Sequence, residues 1–217
     1  MKLLAIAAVA LLAACAGGPP PPEWQMNAHG AMDRFVAAYM AGNTRLEAAE
    51  FEKARSELAR TGRSDLLARA ELLRCAARVA SLVVEPCEGF ERLRQDAPPA
   101  ERAYADYLAA RLQPQDLALL PAPQRAAAAG SADVVALGRT ADPLSRLVAA
   151  GVLFQAGRAS PAVLALAVDT ASAQGWRRPL LAWLGVQARR AEQAGDLPEV
   201  ERLRRRMALV QGAPGVK

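Results

Sequence analysis

The chain has 217 residues, of which 53% are hydrophobic, 23% charged and 5% aromatic, with a formal net charge of +5. That profile excludes a disordered chain, a collagen and a disulfide-dense miniature protein. Alanine supplies 51 residues and arginine 24 of the 27 basic ones, so the apolar fraction is dominated by a strong helix former; with no stretch of roughly 18 apolar residues, a polytopic membrane protein is excluded too.

Met1-Lys2 is a short positive start, and Leu3 to Leu12 is an unbroken run of Leu, Ala, Ile and Val. Ten residues suit the apolar stretch of a signal peptide and are too few to span a bilayer. Leu12-Ala13-Ala14-Cys15 resembles the lipobox of bacterial lipoproteins. The resemblance implies cleavage after residue 14 and a Cys15 that carries fatty acyl chains, palmitate among them, as the first residue of the mature protein. Because Ala16 is not Asp, it also implies the outer membrane, facing the periplasm. Each buried acyl methylene contributes about 0.8 kcal/mol, and more than one chain is needed for a stable anchor. Gly17-Gly18 and Pro19 to Pro22 then read as a flexible joint followed by a polyproline stand-off, so residues 15–26 form an acylated tether, 27–212 a helical domain and 213–217 a tail. Loss of Lys2 lowers the mature charge from +5 to +4.

The mature part reads as helices separated by short breakers. Asn27 to Ala41 carries Met32, Phe35, Val36 and Tyr39 at helical spacing; Gly42-Asn43 stops it and Thr44 can cap a second helix running to Arg60. On that helix Ala48, Phe51, Ala54 and Leu58 form the apolar face, while Glu47, Glu50, Glu52 and Glu57 alternate with Lys53 and Arg55 as a solvated face. Ser64-Asp65 opens a third helix with the stripe Leu66, Ala70, Leu73, Ala77, Ala80 and Val84, ended by Pro86. Glu88 to Gln95 and Pro99 to Leu112 follow as a short fourth and a fifth helix, and three prolines between 113 and 142 predict short bent pieces. Asp142-Pro143 and Ser160-Pro161 start two further helices, Gly157 separating them. Trp176 leads into Pro179 to Ala194, and after Gly195-Asp196 the residues Leu197, Val200, Leu203, Met207 and Val210 mark a last helix. No strand is predicted.

Gln155-Ala156-Gly157 and Gln193-Ala194-Gly195 repeat at a spacing of 38 residues, each between helices. With Gly42, Phe51 and Ala54 in the places of a turn glycine, a second-helix aromatic and a small residue, the chain resembles tetratricopeptide proteins. It departs from them at Glu47, which occupies a small-residue position, and in lacking the first-helix Trp and Leu-Gly. The expected fold is therefore all-α, an array of antiparallel helical hairpins arranged as a tetratricopeptide-like solenoid or an irregular helical bundle.

With Cys15 assigned to lipid, Cys75 and Cys87 remain in an oxidising compartment, where a disulfide is expected. On one straight helix a separation of twelve residues spans roughly 18 Å, against the roughly 7 Å that a disulfide allows, so the chain must reverse at Val83-Val84-Glu85-Pro86. His29 is the only imidazole and has no G-x-S-x-G, H-E-x-x-H or S-x-x-K motif beside it. Metal-ligand spacing and Gly-rich phosphate loops are absent from the sequence, and no Glu-Ser pair of the lytic transglycosylase kind occurs. Arg202 and Arg206 share a helix face and could meet lipid phosphates or anionic cell wall, although basic groups also suit a helix C-terminus. These readings predict a non-catalytic envelope lipoprotein, a scaffold for a protein partner, with no cofactor, metal or nucleic acid. The alternative is a module binding peptidoglycan or a small ligand through Arg side chains and Trp176 or Trp183.

Overall fold

The computed structural model describes residues 20–129 and 134–212. The signal segment, Cys15 and the tail 213–217 lie outside the described residues. Among the described residues every regular element is helical, as the sequence predicts. In chain order they are α1 Glu23–Ala41, α2 Thr44–Ala59, α3 Ser64–Ala80, α4 Glu88–Glu91, α5 Pro99–Leu108, a 3-10 segment Pro114–Leu119, α6 Ala122–Ala129, α7 Val134–Gly138, α8 Pro143–Gln155, α9 Pro161–Ala173, α10 Arg177–Gln193 and α11 Leu197–Gly212.

The caps explain most boundaries. Asn43, not Thr44, accepts from Leu46 N to start α2, and Asp142, Ser160 and Asp196 accept from Ser145, Val163 and Glu199 N. The helical body begins earlier than expected, because Pro22 closes the polyproline segment and its carbonyl accepts the first turn of α1 at Gln25 and Met26. His29 consequently lies within α1, exposed, with Nδ1 3.0 Å from Asp33.

Helix α3 is the hub. Its sequence shows one apolar stripe, yet Ala68, Ala70, Leu72, Ala76, Ala77, Val79 and Ala80 are buried around most of its circumference, as befits a helix enclosed by others. It touches α1, α2, α4, α5 and α8. Small side chains allow close approach: a Cβ on Gly151 of α8 would collide with the backbone carbonyl of Val79 and come within 2.9 Å of its Cγ1.

The hairpins α8–α9, α9–α10 and α10–α11 continue the array, but α10 returns to α1. A solenoid joins each repeat only to its neighbours, so this contact makes the body an irregular closed bundle, the second of the two arrangements expected. Two clasps hold the closure. Trp183, fully buried on α10, donates from Nε1 to Ala80 O at the end of α3 at 3.0 Å. Arg178, at the start of α10, lies over the Tyr39 ring at 4.0 Å and 3.1 Å from Glu47 Oε2. Glu47 is 8% exposed, so the predicted solvated face of α2 turns inward there, while Ala48, expected inside, is exposed.

Candidate functional site

The chain reversal predicted between the cysteines is present, but Pro86 does not cause it. Helix α3 ends four residues before the expected Val84, because Leu82 takes a left-handed φ of 58°. Val83 N then donates to Arg78 O and Leu82 N to Val79 O, which satisfies two terminal carbonyls. Val83 to Cys87 runs back beside α3 without helical structure and brings the two cysteine Cα atoms to 5.9 Å in the expected disulfide. Phe90, fully buried on α4, roots the segment after the bridge.

This strap forms the common wall of two clefts. Cys75, Arg78, Glu85, Pro86 and Cys87 line both. The cleft on the α5 side, about 520 Å³, adds Val84, Arg94, Asp106, Arg111 and Gln155. Its charges are internally matched: Arg94 sits 2.6 Å from Glu91 and 3.1 Å from Asp106, and Arg111 lies 3.8 Å from Asp106. The hydrogen bond from Arg94 holds the Glu91 carboxyl below its ordinary value and raises the guanidinium in turn.

The cleft on the α2 side, about 490 Å³, adds Arg55, Glu71, Arg74, Gly89 and Arg92. Its floor is the Glu71 carboxylate, 4% exposed and 3.1 Å from Arg55 Nε. Burial raises the Glu71 carboxyl, and Arg55 and Arg74 pull against that rise. Gly89 packs directly on the Glu71 carboxylate, which a Cβ at that position would displace. Arg74 is laid over the Phe51 ring at 4.7 Å. A third hollow of about 350 Å³ lies between α5, the 3-10 segment and α8, lined mainly by Leu117, Val152, Leu153 and alanines.

Sequence reading located Cys75 and Cys87 but not Arg55, Glu71, Arg74 or Arg92. Part of the signal is there: Glu71 and Arg78 stand four before and three after Cys75, on the helix face the bridge must occupy, with Arg74 on the flank of that face.

The other predicted site residues lie elsewhere. Arg202, on α11, forms a two-pronged pair with Glu199, both distances 2.6 Å. Arg206 is on the same helix with no carboxylate partner among the described residues. Trp176 is partly buried at the start of α10. Trp183 is wholly taken up by the core, edge-on to Phe154, and cannot stack on a ligand. Glu50 and Glu57 pair with Arg34 and Arg60. Among the described residues no group of three His, Cys, Asp or Glu could hold a metal ion, and no helix is long and apolar enough to cross a membrane. No protein-family model, curated protein or solved structure matches the chain.

Proposed function

We propose that this chain is an exported lipoprotein, acylated at Cys15, whose helical body is a non-catalytic platform for a protein partner at the periplasmic face of the outer membrane. The observation that carries the reading is the disulfide-held strap between two charged clefts. A structural disulfide belongs to an oxidising compartment, which agrees with the signal segment and the lipobox resemblance. A strap fixed at both ends presents side chains at little entropic cost, and Val84 at its crest is 60% exposed. The tether fits the same reading: the eight steps of chain from Cys15 to Glu23 reach at most roughly 29 Å at 3.6 Å per residue, which keeps the body close to the bilayer surface.

Replacing Cys15 with Ser moves the protein from the membrane fraction to the soluble periplasm and abolishes labelling by an alkynyl fatty acid. A photocrosslinker at Val84, installed in the wild-type background, captures one stoichiometric protein, whereas the same group at Arg189 on α10 captures none. A Cys15→Ser protein that stays membrane-bound refutes the anchor. Absence of an adduct at Val84, together with retention on isolated peptidoglycan, replaces the scaffold with the ligand-binding alternative.

A further inference from the structure

We infer that the cleft on the α2 side of the strap receives the side-chain carboxylate of an acidic peptide segment, with Arg74 and Arg92 as its guanidinium contacts. This rests on the binding role proposed above and names its chemistry. Four guanidinium groups line the cleft, Arg55, Arg74, Arg78 and Arg92, against three carboxylates, Glu71, Glu85 and Glu88. Arg55 is engaged by Glu71 at 3.1 Å and Glu52 at 3.5 Å, and Arg78 by Glu85 at 2.8 Å. Among the described residues neither Arg74 nor Arg92 has a carboxylate within ion-pair distance.

Arg74 is also fixed in advance. Its guanidinium rests on Phe51, which is 2% exposed and packs on Phe35 at a centroid distance of 5.1 Å. Stacking covers one face of the guanidinium and leaves its edge N–H donors available, the geometry in which arginine grips a planar carboxylate with two parallel hydrogen bonds. Less side-chain freedom is then lost on binding. The facing wall is equally constrained, by the disulfide and by the contact of Gly89 with Glu71.

Charge selects the ligand. With Arg55 and Arg78 already matched by Glu52, Glu71 and Glu85, the open guanidinium groups are Arg74 and Arg92; a single carboxylate between them adds less negative charge beside Glu71, Glu85 and Glu88 than a phosphate dianion would. The strap favours a peptide over a free acid. Val84, on the α5 side of the strap, offers an exposed apolar side chain, and the backbone N–H groups of Val84 and Glu85 have no hydrogen-bond partner among the described residues, so an extended segment that reaches the α2-side cleft can lie along the strap.

The test is a fluorescence-anisotropy titration of the full mature chain, in neutral detergent, with a labelled, end-capped peptide carrying one central Glu and with its Gln counterpart. The Glu peptide binds saturably and at least about tenfold tighter than the Gln peptide, and its affinity falls as salt rises from roughly 50 to 500 mM. Arg74→Gln with Arg92→Gln reduces it to the Gln level, Arg74→Lys gives an intermediate loss, and Arg189→Gln on α10 changes nothing. Equal affinity for the two peptides, no saturable binding, an unaffected double variant, or displacement by inorganic phosphate at lower concentration than by acetate each overturns the inference. The titration needs no envelope partner, so a failed crosslink at Val84 with a successful titration removes the scaffold reading alone, and the reverse removes only the carboxylate.

Discussion

Removing Arg178 is the sharpest test of how the bundle closes. Its guanidinium covers Tyr39, approaches Glu47 Oε2 at 3.1 Å and donates to Thr44 Oγ1 at 3.3 Å, so one side chain joins α10 to both helices of the first hairpin. The two charges are unequally placed: the Glu47 side chain is 10% exposed and that of Arg178 26%. Breaking a fully buried pair costs about 3–5 kcal/mol, because the surviving charge is left without compensation. Partial exposure of Arg178 lowers that, and Arg178→Met is expected to cost about 2–3 kcal/mol, or roughly 5–10 °C in Tm for a body of this size. Glu47→Gln costs less, about 1 kcal/mol, since the orphaned guanidinium still reaches water and the Tyr39 ring. The double variant recovers part of the loss, with a coupling of about 1–2 kcal/mol in a double-mutant cycle read from urea unfolding by circular dichroism at pH 7. A cost for Arg178→Met no larger than for Glu47→Gln, or a coupling near zero, would mean that Glu47 is solvated and that the clasp is decorative.

Three other outcomes follow from the same packing. Gly151→Ala drives a methyl into the Val79 carbonyl and lowers stability by about 1–3 kcal/mol, seen as a reduced urea midpoint with an unchanged slope; a midpoint at or above wild type means that α3 and α8 are not in close contact. Reducing Cys75–Cys87, whose closed loop spans a separation of 12 residues, costs about 3 kcal/mol on the chain-entropy model, and both thiols alkylate only after reduction; alkylation of the untreated protein refutes the strap. Burial raises the phenol of Tyr107, which is 3% exposed, above its ordinary value near 10. The unfolded chain therefore loses that proton first, so the contribution of Tyr107 is intact below pH 10 and declines above it by at most about 1.4 kcal/mol per pH unit. Tyr107→Phe flattens the alkaline limb of a plot of urea midpoint against pH, and an unchanged limb contradicts the burial.

The helix ends that are legible in the sequence and the two that are not differ by one physical feature, the residue at the left-handed position that closes them. Gly42, Gly157 and Gly195 have positive φ values and read as stops in the sequence, because glycine is the residue that meets no steric penalty there. Leu82 and Ala110 adopt the same conformation and make the same pair of backbone hydrogen bonds, Val83 N to Arg78 O with Leu82 N to Val79 O, and Arg111 N to Asp106 O with Ala110 N to Tyr107 O. Neither residue announces a turn, so spacing alone carries the third and fifth helices four residues too far and puts the turn that makes the strap at Pro86. Tertiary packing pulls Leu82 and Ala110 inward against the core, a contribution able to outweigh the roughly 1–2 kcal/mol that the left-handed backbone costs an L-residue. Glu47 departs from its expected place for a related reason: its charge predicts solvent, and its partner Arg178 is 131 residues further along the chain, so no local pattern places it inside. The cleft arginines share that dependence on long-range contact. A helix face is readable from spacing, but whether an arginine on it is matched by a carboxylate or left open depends on which strap folds over it, and that is decided here by a leucine in a glycine's place.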